Sequence, residues 1–265
     1  MKIQSIQSIQ SNRLNQQNQQ NQINRSNVSF EQRIAAANFK DERVLIQGLV
    51  DGLAPVAARL KGLVRTILIP GLLDAGETLT LAKSSNLDVF VHGASAVTPG
   101  ANTGKVSMER CADKGIRGFL IGHSEERKWK PGAEFAAQVL EAIKLKSEAI
   151  LCVGNGKDEE VGIIVKQLKL ALEGADEEAV KRVLNAVAYE PLGSIGKGGK
   201  PCPPNEAKEA ISALRDAGYE GPVLYGGSVD AGNAQSYMEV GFDGVLVGRK
   251  GILPETFAPI MNALA

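Results

Sequence analysis

The chain has 265 residues, long enough for one large α/β domain. Lysine plus arginine equals aspartate plus glutamate at 30 each, so the formal net charge is zero and no basic stripe speaks for nucleic acid. No apolar run approaches the roughly 20 residues of a membrane helix, and the three scattered cysteines, Cys111, Cys152 and Cys202, fit neither zinc spacing nor a disulfide framework and point to a reducing compartment.

Residues 1–31 read as a Gln/Asn-rich disordered extension, and residues 32–265 as the folded domain. Ile-Gln-Ser occurs three times in succession from Ile3 to Ser11, and nine of the ten residues from Asn15 to Asn24 are Asn or Gln. Such a segment buries too little apolar surface to offset its ordering entropy. Lys2, Arg13 and Arg25 without an acid before Glu31 resemble a transit peptide, yet glutamine dominates where Arg, Ser and Ala should. A low-complexity extension and a cytoplasmic location are the expectation, with organellar targeting as the alternative.

Strand-like runs then alternate with helix-like ones. The first strand, near 33–38, ends in Asn38, Phe39 and Lys40. Asn38 and Lys40 alternate across Phe39, so an extended chain points both to one face. Strands near 65–70 and 87–92 follow, the latter ending in His92. The next, near 117–122, ends in Gly122, His123, Ser124 and Glu125. Both histidines of the chain thus follow short apolar runs. A lone histidine is more often a satisfied polar group than a catalyst; two out of two at strand ends shifts that balance.

Glu134–Lys146 reads as a helix with Ala137, Leu140, Ile143 and Lys144 at helical spacing. The strand near 148–153 buries Cys152 as a small hydrophobe. Val161 to Leu172 is amphipathic. The strand near 183–189 delivers Glu190, followed by Pro191 and four glycines, Gly193, Gly196, Gly198 and Gly199. An acid on a stiff support before a Gly-rich loop suits a general base beneath a lid, and such a loop can bring backbone N–H groups to a phosphate. A solvated acid before a surface loop is the plain alternative.

The helix-like run Ala207 to Leu214 leads to strands near 222–226 and 243–248. These end in Gly226-Gly-Ser228 and in Gly248-Arg249, junctions that offer N–H groups to an anion. Eight βα units argue for a closed parallel (β/α)8 barrel, with a doubly wound open sheet as the alternative.

Five segments in this order resemble the triosephosphate isomerase family: Asn38-Phe-Lys40, Gly122-His-Ser-Glu125, Ala188-Tyr-Glu-Pro191 with Ile195-Gly-Lys-Gly198, Tyr225-Gly-Gly-Ser-Val229 and Leu246-Val-Gly248. Ala101-Asn-Thr-Gly104 is similar to the tip of the family's third loop. The similarity runs from about Arg33 to the C-terminus. It implies a TIM barrel and an intramolecular isomerase that interconverts dihydroxyacetone phosphate and D-glyceraldehyde 3-phosphate through an enediolate, in glycolysis and gluconeogenesis.

By that resemblance Glu190 is the base and His123 shuttles hydrogen between the two oxygens. Lys40 and Asn38 stabilise the oxyanion, and Glu125 positions Lys40. Phosphate binds backbone N–H groups at Gly196, Ser228, Gly248 and Arg249. The resemblance implies a small phosphosugar as the partner, with no metal or redox cofactor, no nucleic acid and no membrane, and a homodimer or higher homo-oligomer.

Several residues depart from the family's pattern. Phe39 stands for a tryptophan, Leu192-Gly193 for Val-Trp, His92 for a glutamine and Arg249 for a glycine. Asn102 replaces an aromatic that usually enters the partner subunit, which weakens the case for the usual dimer. Two other readings remain at this level. One is an isomerase of another small phosphosugar, such as a tetrulose phosphate. The other is a non-catalytic phosphate-binding barrel whose arm self-associates.

Overall fold

The computed structural model describes residues 32–39, 44–156, 159–195 and 199–265. Eight parallel strands close into a barrel in sequence order. They are β1 (Arg33–Asn38), β2 (Val64–Ile69), β3 (Leu87–Val91), β4 (Gly118–Ile121), β5 (Glu148–Val153), β6 (Leu184–Tyr189), β7 (Val223–Tyr225) and β8 (Gly244–Val247). β8 pairs back onto β1, with Ala36 opposite Leu246, so no strand edge is left open. The open-sheet alternative is thereby set aside. The reading of residues 1–31 as a disordered extension lies outside the described residues.

Alternation along each strand divides the core in two. Ile34, Ala36, Ile67, Ile69, Phe90, Leu120, Ile150, Cys152, Ala186, Ala188, Leu224 and Leu246 fill the barrel interior. Their neighbours, such as Ala35, Ala37, Leu151 and Val187, face the surrounding helices. Cys152 is 2% exposed and packs there as a small thiol, as its run suggested.

The same period of two fixes the site. If Ile34 and Ala36 point inward, so does Asn38. If Ala186 and Ala188 point inward, so does Glu190. Both polar groups emerge where their strands end, at the C-terminal mouth of the barrel.

The helices on the outside include α1 (Ile46–Arg59), α2 (Ala75–Ala82), α3 (Met108–Asp113), α4 (Ser124–Arg127), α5 (Gly132–Leu145), α6 (Gly162–Ala171), α7 (Glu177–Val183), α8 (Pro204–Asp216), α9 (Ala234–Glu239) and α10 (Pro254–Ala263). The helix expected over Glu134–Lys146 is present as α5, and one strand boundary needs correction. The face of α5 that packs on the barrel is Phe135, Ala136, Val139 and Ala142, whereas Ala137 and Leu140 are exposed. Phe135, Val139 and Ala142 share one face at i, i+4 and i+7. Val183 ends α7 rather than opening β6. Asp176 caps that helix by accepting from the Ala179 N–H at 2.8 Å, which holds the turn together up to the strand.

Candidate active site

A cavity of about 370 Å3 opens at the C-terminal mouth, and Asn38, His123, Glu190, Ser228, Gly248 and Arg249 all line it. Six of the residues singled out from sequence therefore meet in one place. Lys40 and Gly196 lie outside the described residues. Glu125 stands just outside, its side chain about half exposed and its carboxylate 3.9 Å from His123 Nδ1. His92 follows β3 and is not among the residues lining the cavity.

Glu190 is the centre of the arrangement, at 1% exposure. A buried carboxylate needs donors or a counter-charge. Here the Ser124 N–H donates to Oε2 at 2.8 Å, and the Arg127 guanidinium donates to the same oxygen at 2.9 Å. His123 Nε2 lies 3.1 Å from Oε1. Arg127 also donates to the Gly122 carbonyl, so it ties the end of β4 to the end of β6.

The histidine is oriented by its own helix. His123 occupies the N-cap of α4, and its Nδ1 accepts the Glu125 backbone N–H at 3.3 Å. With Nδ1 as acceptor, a neutral imidazole carries its hydrogen on Nε2, which faces Glu190 and the cavity. Gly122 makes this turn with φ +71°, a conformation L side chains rarely adopt. The strand-to-helix corner is therefore built to project an imidazole N–H beside a carboxylate.

Ser194 and Gly199, described residues after Glu190, both face the turn after β7. The Ser228 hydroxyl lies 2.8 Å from the Ser194 carbonyl and 3.2 Å from the Gly199 carbonyl, with one hydrogen to share between them. Further along, the Cys202 N–H donates to the Tyr225 hydroxyl at 2.9 Å, and the Tyr237 hydroxyl donates to the Cys202 carbonyl at 2.7 Å. The rings of Tyr225 and Tyr237 stack with centroids 3.6 Å apart. A Cβ on Gly227 would collide with the Tyr225 hydroxyl, so the glycine preserves this anchor.

Two thiols near the site are held protonated. Burial and then the Glu190 carboxylate push the Cys152 thiol well up. Burial pushes Cys202 up to about 11, with Glu206 and Glu209 adding to it. Neither is poised as a nucleophile.

Sequence reasoning missed Arg127 and Ser124 as the holders of Glu190, and Tyr225 with Tyr237 as the anchors of the segment after it. Arg127 lies one helical turn beyond His123, close enough in sequence to have been suspected. Tyr237 gives no local signal, because its role depends on contact with a residue 35 positions away.

A buried acid, an oriented imidazole and an amide at the C-terminal end of a parallel (β/α)8 barrel stand where enzymes of the barrel class carry their chemistry. The family model described as triosephosphate isomerase matches residues 33–264. The chain is similar to "Triosephosphate isomerase" of Caldanaerobacter subterraneus subsp. tengcongensis, 32% identical over 248 residues that cover 86% of this chain and 98% of the relative. It is also similar to "Triosephosphate isomerase, glycosomal" of Trypanosoma cruzi, at 33% over 252 residues, covering 88% and 97%. A third relative, "Triosephosphate isomerase" of Synechococcus sp. (strain JA-2-3B'a(2-13)), is 34% identical over 206 residues, covering 74% and 80%. The chain belongs to the triosephosphate isomerase family and is an isomerase.

Proposed function

We propose that the cavity interconverts dihydroxyacetone phosphate and D-glyceraldehyde 3-phosphate through an enediolate, with Glu190 as the base. The observation that carries this reading is the convergence of Glu190, His123 and Asn38 on one cavity that Ser228, Gly248 and Arg249 also line.

Glu190 takes the proton from the carbon next to the carbonyl. The C–H electron pair becomes the carbon–carbon double bond, and the carbonyl electrons move onto oxygen. His123, neutral, gives its Nε2 hydrogen to that oxygen and recovers one from the neighbouring hydroxyl. Glu190 then returns its proton to the adjacent carbon. Asn38 donates a hydrogen bond to the developing oxyanion.

Lys40 supplies the fixed cation in this scheme and Glu125 its partner; that pair rests on the family resemblance. The phosphate is bound by the backbone of Ser228, Gly248 and Arg249, with Gly196 assigned by resemblance. Arg249 adds attraction for the dianion and tunes KM. To reach substrate, Glu190 exchanges its bonds to Ser124 and Arg127 for the substrate's proton, which keeps the resting carboxylate solvated by the protein itself.

A coupled assay with D-glyceraldehyde 3-phosphate tests the reading. The expected outcome is turnover inhibited competitively by a phosphoglycolate-type anion. Folded protein that binds the anion yet turns over no triose phosphate would refute it.

We also infer a homodimer, in a reducing compartment such as the cytoplasm that suits the three free thiols. Leu45, Leu73 and Val106 are 80%, 95% and 44% exposed and stand on the segments following β1, β2 and β3 at one rim. A second copy would cover this apolar surface. Asn102, by contrast, folds back on its own loop by donating to the Thr98 carbonyl at 2.8 Å. A single monomeric species in sedimentation equilibrium at micromolar concentration would overturn the dimer. Among the described residues no helix is long and apolar enough to cross a membrane.

A further inference from the structure

We propose that Lys250 is a specificity-determining residue, a cation held in reserve on Asp230 that transfers to the phosphate of the arriving substrate. The inference rests on the reading of the cavity as a phosphosugar site and deepens it.

Asp230 and Lys250 both line the cavity, next to Ser228 and beyond Gly248. They join the segment after β7 to the segment after β8 through an ion pair of 2.9 Å. The two partners are not equally fixed. Asp230 Oδ1 accepts the N–H groups of Gly232 at 2.9 Å and Asn233 at 3.1 Å. Its own N–H donates to Asn233 Oδ1 at 2.9 Å, and Asn233 Nδ2 donates to the Ser228 carbonyl at 3.0 Å. The carboxylate is thus locked to the turn that presents Ser228, and only Oδ2 is left for the lysine.

Lys250 rides on the 3-10 turn Arg249–Gly251. That turn presses on β1: a Cβ at Gly251 would lie 2.7 Å from the Ala37 Cβ. Its backbone is therefore fixed, while its side chain is a flexible four-carbon stem with three rotatable donors.

The ion pair is half exposed, 50% at Lys250 and 45% at Asp230. Exposed pairs of this kind are weakly held and easily exchanged. A phosphate dianion brings two charges where Asp230 brings one, so it competes for the ammonium on favourable terms. Until then Asp230 neutralises the lysine and repels anions lacking the charge to displace it. The pair acts as a filter for doubly ionised phosphate esters at the mouth, alongside the backbone groups that hold the phosphate.

The test uses the full chain, with inorganic phosphate in calorimetry and D-glyceraldehyde 3-phosphate in steady-state kinetics. Lys250→Gln should raise the phosphate Kd and the substrate KM by about fivefold, with kcat changed far less, and should flatten the salt dependence of KM. Asp230→Asn keeps an oxygen for the Gly232 and Asn233 N–H groups, so the turn survives. That variant should bind phosphate about two- to fivefold more tightly, because the lysine is released and a repulsive charge is gone. The double variant should keep only the part of that gain that comes from removing the repulsive charge, and should bind phosphate more weakly than Asp230→Asn because no lysine is there to be released.

An unchanged phosphate Kd in Lys250→Gln overturns the inference. So does weaker phosphate binding in Asp230→Asn at an unchanged melting point, which would make the pair a structural strap. Parental protein that shows these phosphate effects but no turnover of triose phosphate leaves the filter standing and overturns the reading of the reaction.

Discussion

Glu190→Gln is expected to lower kcat by about a thousandfold or more while the barrel still folds. The amide has nearly the shape of the carboxylate but cannot accept a proton from carbon. It also cannot neutralise Arg127, whose guanidinium is 12% exposed and bonded to the carboxylate at 2.9 Å. Breaking a buried pair from one side leaves the other charge uncompensated. The melting point should therefore fall by several degrees along with the rate. Steady-state kinetics and a thermal melt on the same preparation check both. A folded glutamine variant with near-parental turnover would sink the assignment of the base.

His123→Gln should lower kcat by about a hundredfold to a thousandfold, with a melting point close to the parent. Glutamine can offer a hydrogen-bond donor, but it cannot give a hydrogen to one oxygen and recover one from the other. Structurally the residue gives little away. Its cap bond to the Glu125 N–H is 3.3 Å long, and the other anchors of Glu190, from Ser124 and Arg127, do not pass through it. The decisive comparison is kcat against melting temperature. If lost activity tracks lost fold, His123 is a structural cap and the proton-shuttle role is wrong.

Most of the barrel was legible because its strands obey a period of two and end in punctuation. Ile34, Ala36 and Asn38 read as one inward row, and so do Ala186, Ala188 and Glu190, so the sequence pattern carried the candidate site as well as the sheet. The inward face of α5 was not legible, because the helix carries two similar apolar stripes and only the packed barrel shows that Phe135, Val139 and Ala142 face inward. The β6 boundary was blurred because apolar Val183 suits a helix end and a strand start equally. The Asp230–Lys250 pair joins residues 20 positions apart on different βα units. Nothing local marks such a contact, since it exists only once β7 and β8 lie side by side.

The mounting of Glu190 has a consequence for how this enzyme can change. Arg127 grips both the Glu190 carboxylate and the Gly122 carbonyl, so one guanidinium makes a charged seam from the end of β4 across β5 to the end of β6. A substitution that loosens that grip frees the Glu190 carboxylate but opens the seam, and one that tightens it firms the barrel but restrains the carboxylate. With Glu190 in its proposed role, turnover and durability are linked through a single side chain. Heat-adapted variants of this chain should find their gains away from Arg127, on the helices and loops of the outer layer.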